Sequence, residues 1–310
     1  MFNKKTLLAL VISAASVNAM AAGNQATVDQ NGELQKATVN QAGTSQTAEV
    51  EQAGDSNVAL VDQTNAGNTT SIYQDGNANN ATTNQRGVDS TSTIYQTGNE
   101  NLVDVVLQAS RNNDSIVDQE GDLNEARVVQ GGGGDHFADV FQTGTANDAV
   151  LAQGGNFNTA YVEQDGSENG VTTGQYGNNS ILDVIQAGVM NTTVISQTQS
   201  ATNADAYVEQ TGNDNKANVY QDGDLGVAEI VQYGNGNNSE LDQSGTDNYA
   251  LAMQDGDGNV ITVAQTGSLN EASIDQIGSQ NVANVVQSGT TDFAYVMQSG
   301  NNNLASVTQQ

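Results

Sequence analysis

The sequence predicts an all-β protein, a two-sheet β-solenoid of 11-residue strand-turn units making about 13 rungs of 22 residues. Three observations predict it. A glutamine recurs twenty-six times between Gln30 and Gln309, nearly always eleven residues apart. Nearly every copy opens Gln-x-Gly, then places Asn five residues on and a small residue seven on, as Gln254, Gly256, Asn259, Gln265, Gly267, Asn270, Ala272 and Gln276 show. Proline is absent from all 310 residues. A strict short period means one small unit stacked on copies of itself. A chain whose every segment donates N–H groups to a ladder excludes proline.

The elements follow in chain order. Lys4 and Lys5, the apolar run Leu7 to Val17, and Ala19-Met20-Ala21 form a secretory signal, so residues 1–21 are expected to be cleaved and residues 22–310 to form the solenoid. The apolar run is too short to span a membrane, and no membrane insertion is expected. Counting back from each Gln, the residue two before is usually Val or Ile, the one four before Ala, and the one six before Asn. These share one parity, so in a strand they point inward together. The intervening positions hold Glu, Asp, Tyr, Ser and Thr and point outward. A helix is excluded because the spacing is two and Gly with Asn interrupts every unit. The stretch from Gln to Asn is the turn, and its Gly supplies a positive φ. Asn65, Ser110 and Gln199 replace that Gly. Rungs stacked about 4.8 Å apart, in sheets about 10 Å apart, give a stack of roughly 60 Å.

Stacking brings like residues into register. Gln52, Gln74, Gln96, Gln119, Gln164, Gln186, Gln210, Gln232, Gln254 and Gln276 form the expected core ladder, amide over amide, and inward Asn is expected over Asn. Ordering eleven residues costs roughly 10–20 kcal/mol of backbone entropy, while burying one Val returns roughly 1.5–3 kcal/mol. A lone unit cannot hold itself and needs neighbours on both sides. The first rungs (Asn24, Ala26, Val28, Gln30, Val39, Gln41) and the last (Val296, Gln298, Asn303, Ala305, Val307, Gln309) repeat the interior pattern. They are expected to be uncapped templates for strand addition and thus the self-assembly surfaces. A head-to-tail contact of this kind does not close, so it generates a filament.

The period breaks three times. One residue is added between Gln96 and Gln108, one between Gln130 and Gln142, and two between Gln197 and Gln210. The second falls in Gly131–Gly134 and the third near Gln199–Asn203, both expected turns. The first is expected inside a strand, with a bulge that keeps Asp104 out of the core.

The 36 acidic residues against 7 basic ones, a net charge of -29, exclude a nucleic-acid-binding surface. Without cysteine there is neither disulfide nor thiolate metal site. The acids fall mainly in turns and outward positions, as solvated charge that also slows premature stacking. Asp29 and Glu51 are expected on adjacent rungs of one face, repelling by about 1 kcal/mol in water. Tyr73 and Tyr95 are expected to stack as outward neighbours. Gly131–Asp135 faintly resembles a calcium-binding turn but occurs once, and His136, the lone histidine, is expected to be a loop residue. No nucleophile elbow, phosphate loop or zinc motif occurs, so neither enzyme nor cofactor is expected.

The Gln-x-Gly-x-x-Asn-x-Ala-x-x-x-Gln spacing, carried by Gln41, Gly43, Ala48, Gln52, Gly54, Asn57 and Ala59 and by Gln119, Gly121, Asn124, Ala126 and Gln130, resembles the curlin-repeat family over residues 24 to 309. That resemblance implies a subunit of curli, the extracellular functional amyloid of bacterial biofilms. It implies secretion through an outer-membrane channel, nucleation at the cell surface by a partner subunit, and roles in adhesion and matrix. The chain departs from the family in having far more repeats than the usual five. It often lacks a Gly before Asn (Gly67, Gly236 and Gly258 are exceptions), and no Gly-rich leader follows the signal. The expected function is a secreted structural subunit that assembles head-to-tail into cell-surface fibres, a fimbrium. The alternatives are a nucleating minor subunit of the same system or a monomeric surface-binding solenoid. The latter would need a regular outward Thr array, and Glu49 with Glu51 and Tyr161 with Glu163 occupy those positions instead.

Overall fold

A computed structural model describes residues 23–107 and 110–310; the expected signal peptide lies outside the described residues. The chain packs as two compact units, Met1–Asn147 and Asp148–Gln310. The first carries β1 (Gln25–Glu33), β2 (Lys36–Thr44), β3 (Thr47–Asp55), β4 (Val58–Ala66), β5 (Thr69–Asn77), β6 (Asn80–Gln85), β7 (Thr91–Asn99), β8 (Leu102–Leu107), β9 (Asp114–Asp122), β10 (Glu125–Gln130) and β11 (Phe137–Thr145). The second carries β12 (Asp148–Gln153), β13 (Thr159–Ser167), β14 (Gly170–Gln175), β15 (Ile181–Val189), β16 (Thr192–Gln197), β17 (Asp205–Asn213), β18 (Lys216–Asp222), β19 (Val227–Asn235), β20 (Asn238–Thr246), β21 (Tyr249–Asp255), β22 (Val260–Ser268), β23 (Glu271–Ile277), β24 (Val282–Gln287), β25 (Phe293–Ser299) and β26 (Leu304–Gln309).

Among the described residues the strand pairs are parallel and join strand n to strand n+2. Within each unit the odd-numbered strands therefore build one sheet and the even-numbered strands the other. The fold is the predicted two-sheet β-solenoid, thirteen turns of two strands each. Register is strict: Val50, Ile72, Ile94, Val117 and Val140 lie one over another along the odd sheet. Each is no more than 1 % exposed. The small-residue row beside them, Ala48, Thr70, Ser92, Ser115 and Ala138, is equally dry, each no more than 1 % exposed. Burying one such Val or Ile contributes roughly 1.5–3 kcal/mol, and the solenoid repeats that gain in every strand.

The insertions leave the register intact. Stacked glutamines are normally 22 residues apart, yet the pair Gln96 and Gln119 spans 23 and the pair Gln186 and Gln210 spans 24, and both pairs stay hydrogen bonded. The extra residues at Gly131–Gly134 and at 199–203 sit in turns, as expected. The expected bulge at Asp104 is not there. Strand β8 runs regularly, with Val103 and Val105 buried in the inward rows and Leu107 in the register position that Gln85 and Gln130 hold. Asp104 faces outward beside Arg127, 3.6 Å away. Shifting the frame by one residue costs a Gln its register position but avoids burying a carboxylate, which is far costlier.

Most turns contain two left-handed residues; those at Gly87, Gly177 and Gly289 contain one. The predicted one is the Gly two after Gln. At Gly121 φ is +117°, and a Cβ there would lie 2.0 Å from the carbonyl oxygen of Gly144, so successive turns touch backbone to backbone. The second, which the sequence reading did not anticipate, comes four after Gln and is mostly not glycine: Leu34, Leu123, Leu225 and Leu269 have φ of 58–62°. This geometry turns the Leu123 N–H onto the Asn99 carbonyl, 2.9 Å away, so the ladder continues around the corner. A non-glycine residue held there costs about 1–2 kcal/mol. Leu123→Gly is therefore expected to raise stability by about 1 kcal/mol after the entropy cost of glycine, whereas Gly121→Ala lowers it by several-fold more. Denaturant midpoints of the two variants, moving in opposite directions, check this.

Candidate functional site: the inward ladders and the end strands

In a repeating fold the candidate site is the surface that repeats. Along the odd sheet of the first unit, Gln30 donates from Nε2 to Gln52 Oε1 at 2.6 Å, Gln52 to Gln74 at 2.7 Å, Gln74 to Gln96 at 2.7 Å, Gln96 to Gln119 at 3.0 Å and Gln119 to Gln142 at 2.8 Å. In the second unit the column runs from Gln164 through Gln186, Gln210, Gln232, Gln254 and Gln276 to Gln298, with bonds of 2.7–3.1 Å. The even sheet has its own columns, from Gln41 through Gln63 to Gln85 and from Gln153 to Gln309. In all of these bonds the earlier residue donates to the later one, so each column has a direction. Each amide also reaches the opposite sheet: Gln74 donates to Val58 O at 3.1 Å and Gln85 to Thr69 O at 2.9 Å. The columns thus tie rung to rung and sheet to sheet. Buried amides are tolerated because repetition supplies their partners.

The inward asparagines do something other than the expected Asn-over-Asn ladder. Asn57 accepts the Asn79 N–H on Oδ1 at 2.9 Å and donates from Nδ2 to Gly76 O at 3.0 Å and Ala53 O at 2.8 Å. One methylene shorter than Gln and placed beside the turn, Asn reaches the backbone of the next turn. Side-chain pairs such as Asn281 with Asn259, at 3.1 Å, are the minority. Gln46 stands in an Asn position, is fully buried, and leaves its Oε1 without a hydrogen bond. A true amide ladder missed by the sequence reading lies outside, three residues after Gln: Asn77 donates to Asn99 Oδ1 and Asn99 to Asp122 Oδ1, both at 2.8 Å. Its signal was the recurrence of Asn or Asp at that position.

His136 lies, as expected, in the connection ahead of β11, but it is buried. It is 1 % exposed and occupies the inward Asn position ahead of β11. Its backbone N–H donates to Asn113 Oδ1 at 3.2 Å, and its Nε2 lies 3.1 Å from Gly131 O. The Gly131–Gly134 insertion gives the larger ring its room. Among the described residues no group of three or more His, Cys, Asp and Glu side chains is placed to hold a metal ion.

The end strands hold the predicted terminal residues. Ala26, Val28 and Gln30 lie along β1 just after Asn24, and Val39 and Gln41 along β2; these strands pair with β3 and β4. Val28 and Val39 are partly exposed, where Val50 and Val61 are at most 1 % exposed. At the other end Val296 and Gln298 lie on β25, and Ala305, Val307 and Gln309 on β26 just after Asn303; these strands pair with β23 and β24. Ala305, Val307 and Gln309 are again partly exposed.

Acids crowd the outer face. Asp29 pairs in register with Glu51, and Tyr73 with Tyr95, whose rings lie 6.4 Å apart. Partial burial, with Glu120 and Asp139 nearby, pushes the Asp118 carboxyl up. Burial, with Glu163 beside it, does the same to Asp183. Asp114, Asp139, Asp148, Asp205 and Asp242 are raised chiefly by burial. Tyr207 and Tyr233 both donate to the Glu209 carboxylate, at 2.7 and 2.8 Å.

The family model described as the curlin associated repeat matches residues 22–54, 43–76, 110–144, 144–177, 212–245, 245–278 and 278–310, more than half of the chain. The stretches between, 77–109 and 178–211, hold the period breaks at Gln96–Gln108 and Gln197–Gln210. No curated protein matches the chain.

Gln74→Leu strands the amide of Gln52 and the oxygen of Gln96, and at about 1–3 kcal/mol for each orphaned group it should cost roughly 2–6 kcal/mol. Gln46→Asn should instead gain about 1 kcal/mol; chemical denaturation reads both. The raised carboxyls bind protons more readily folded than unfolded. Stability should therefore rise as pH falls from 7 through their raised values toward the ordinary value of 3.8, and be lost again as pH is raised. Unfolding midpoints measured between pH 7 and pH 4 check the sign.

Proposed function

The chain belongs to the curlin-repeat family, one of structural fibre subunits, and from that footing we propose that it is a secreted, non-enzymatic subunit that stacks head-to-tail into extracellular amyloid fibres of a biofilm matrix. The observation that carries this reading is the identity of the end strands with the interior. β1 and β26, with Asn24 and Asn303 just before them, bear the inward Asn-Ala-Val-Gln pattern that recurs through the interior, and they keep those residues at least partly exposed. The column direction makes the two ends complementary. The columns begin at Gln30 and Gln41, which donate to Gln52 and Gln63 at 2.6 and 3.0 Å, and end at Gln298 and Gln309, whose amides donate back to Val282 O and Phe293 O at 3.0 and 2.9 Å. A second molecule stacked tail to head continues each column with the same bond that joins interior rungs. Repeated, the contact is open and makes a filament.

The partners of this reading are further copies of the chain, with a nucleating subunit and an outer-membrane secretion channel serving initiation and export. Adhesion follows from the cell-surface fibre. The acid face sets the timing, because stacked carboxylates such as Asp29 and Glu51 repel until protonation or salt weakens them.

Residues 22–310 purified without denaturant should convert from monomer to thioflavin-binding fibres with a meridional reflection near 4.7–4.8 Å. The lag should be shorter at pH 4 than at pH 8. Val307→Asp places a charge in the growing junction while leaving the monomer's circular dichroism unchanged. It should slow elongation by at least about tenfold, equivalent to about 1.4 kcal/mol. A persistently monomeric, dye-negative product would refute the reading.

A further inference from the structure

The two outer faces of the second unit differ in charge. None of the odd strands β13 to β25 carries Lys or Arg, and acids such as Asp183, Asp205, Glu229 and Glu271 stand along them. On the even sheet β20 is still acidic, with Glu240 and Asp242 facing out. Beyond it the charge stops. The outward residues of β22, β24 and β26 are all uncharged. They align as a Val260–Val282–Leu304 column and an Ala264–Val286–Thr308 column, with small polar residues between. Val282 is 38 % exposed and Leu304 80 %. In a chain of net charge -29, this is an uncharged sheet face on which two copies can meet without bringing carboxylates together.

We propose that this face is a lateral interface, occupied by the same face of a second copy in a neighbouring filament. The proposal rests on the assembly reading above. Charge selects the occupant: pairing even face to even face about a two-fold axis leaves both acidic odd faces outermost, as far apart as the geometry allows, whereas an odd-to-odd contact would press carboxylates onto carboxylates. Area selects the state in which it works. Nine outward positions, each covering about 6.8 by 4.8 Å, offer roughly 300 Å², well short of the about 800 Å² per partner of a stable complex. Single molecules therefore do not dimerise through it. A filament presents one such patch per subunit in a row, and the row binds by multivalency where one patch does not.

The full chain tests this. Wild-type fibres viewed by negative-stain microscopy should be paired or bundled, while the soluble chain before assembly sediments as a monomer. Val282→Glu with Val286→Glu should yield single filaments at unchanged elongation rate. Val282→Lys with Val286→Lys should do the same although it lowers the net negative charge, which separates loss of the interface from general repulsion. Tyr295→Glu with Met297→Glu, on the odd face, should leave bundling intact. Circular dichroism and elongation show that each variant still folds. Bundles that survive both even-face variants, or that vanish equally in the odd-face variant, overturn the proposal and leave the assembly reading standing. Wild-type protein that forms no fibres overturns both.

Discussion

Everything in this molecule depends on register. A buried primary amide is costly unless both its donor and its acceptor are met. Here each is met by an identical group one rung away, as Gln74 is by Gln52 and Gln96. A slip of one residue would turn every amide to solvent and every outward acid into the core. The polar columns therefore specify the alignment, and the Val, Ile and Ala rows between them supply the apolar gain. Neither suffices alone: the aliphatic rows resemble one another too closely to fix a register, and the amides bury too little apolar surface to drive folding.

The same logic explains where strain sits. The corners must carry N–H and C=O groups around the bend without orphaning them, and the left-handed residue before each inward Asn does this. Leucine, phenylalanine and methionine accept that conformation at Leu123, Phe157 and Met190. A cost of about 1–2 kcal/mol in each such turn is small beside what the adjoining strand gains by docking on its neighbours. It weighs most on an isolated rung. A chain built this way favours long stacks over short ones.

The period made most of the fold legible. Parity alone separated Val50 and Gln52 from Glu49 and Glu51, and recurrence placed the strands and the glycine corners. What stayed hidden depended on atomic reach. Asn and Gln are alike in pattern, yet Asn57 bonds the backbone of the next turn while Gln52 bonds Gln74. A single extra residue near Asp104 admitted two frames. The chain took the one that costs a Gln its place, because burying the carboxylate is worse. His136 was legible as a connection residue, but its burial was not, because its type matched no row although its spacing put it in the Asn row. The terminal rows were visible as sequence, but the direction of the columns, which makes the two ends unlike and matched, appears only with hydrogen-bond geometry.

The three insertions share a trait. All follow even strands, β8, β10 and β16, while the corner after every odd strand keeps its glycine at thirteen of thirteen positions, from Gly32 to Gly300. One margin of the solenoid is ruled and the other ragged. Because columns rather than residue counts hold the rungs in phase, a miscount on the ragged margin is corrected at the next strand and does not propagate. Such a chain can lengthen, drift or acquire ornament along that margin over evolutionary time, with no compensating change anywhere else in the stack.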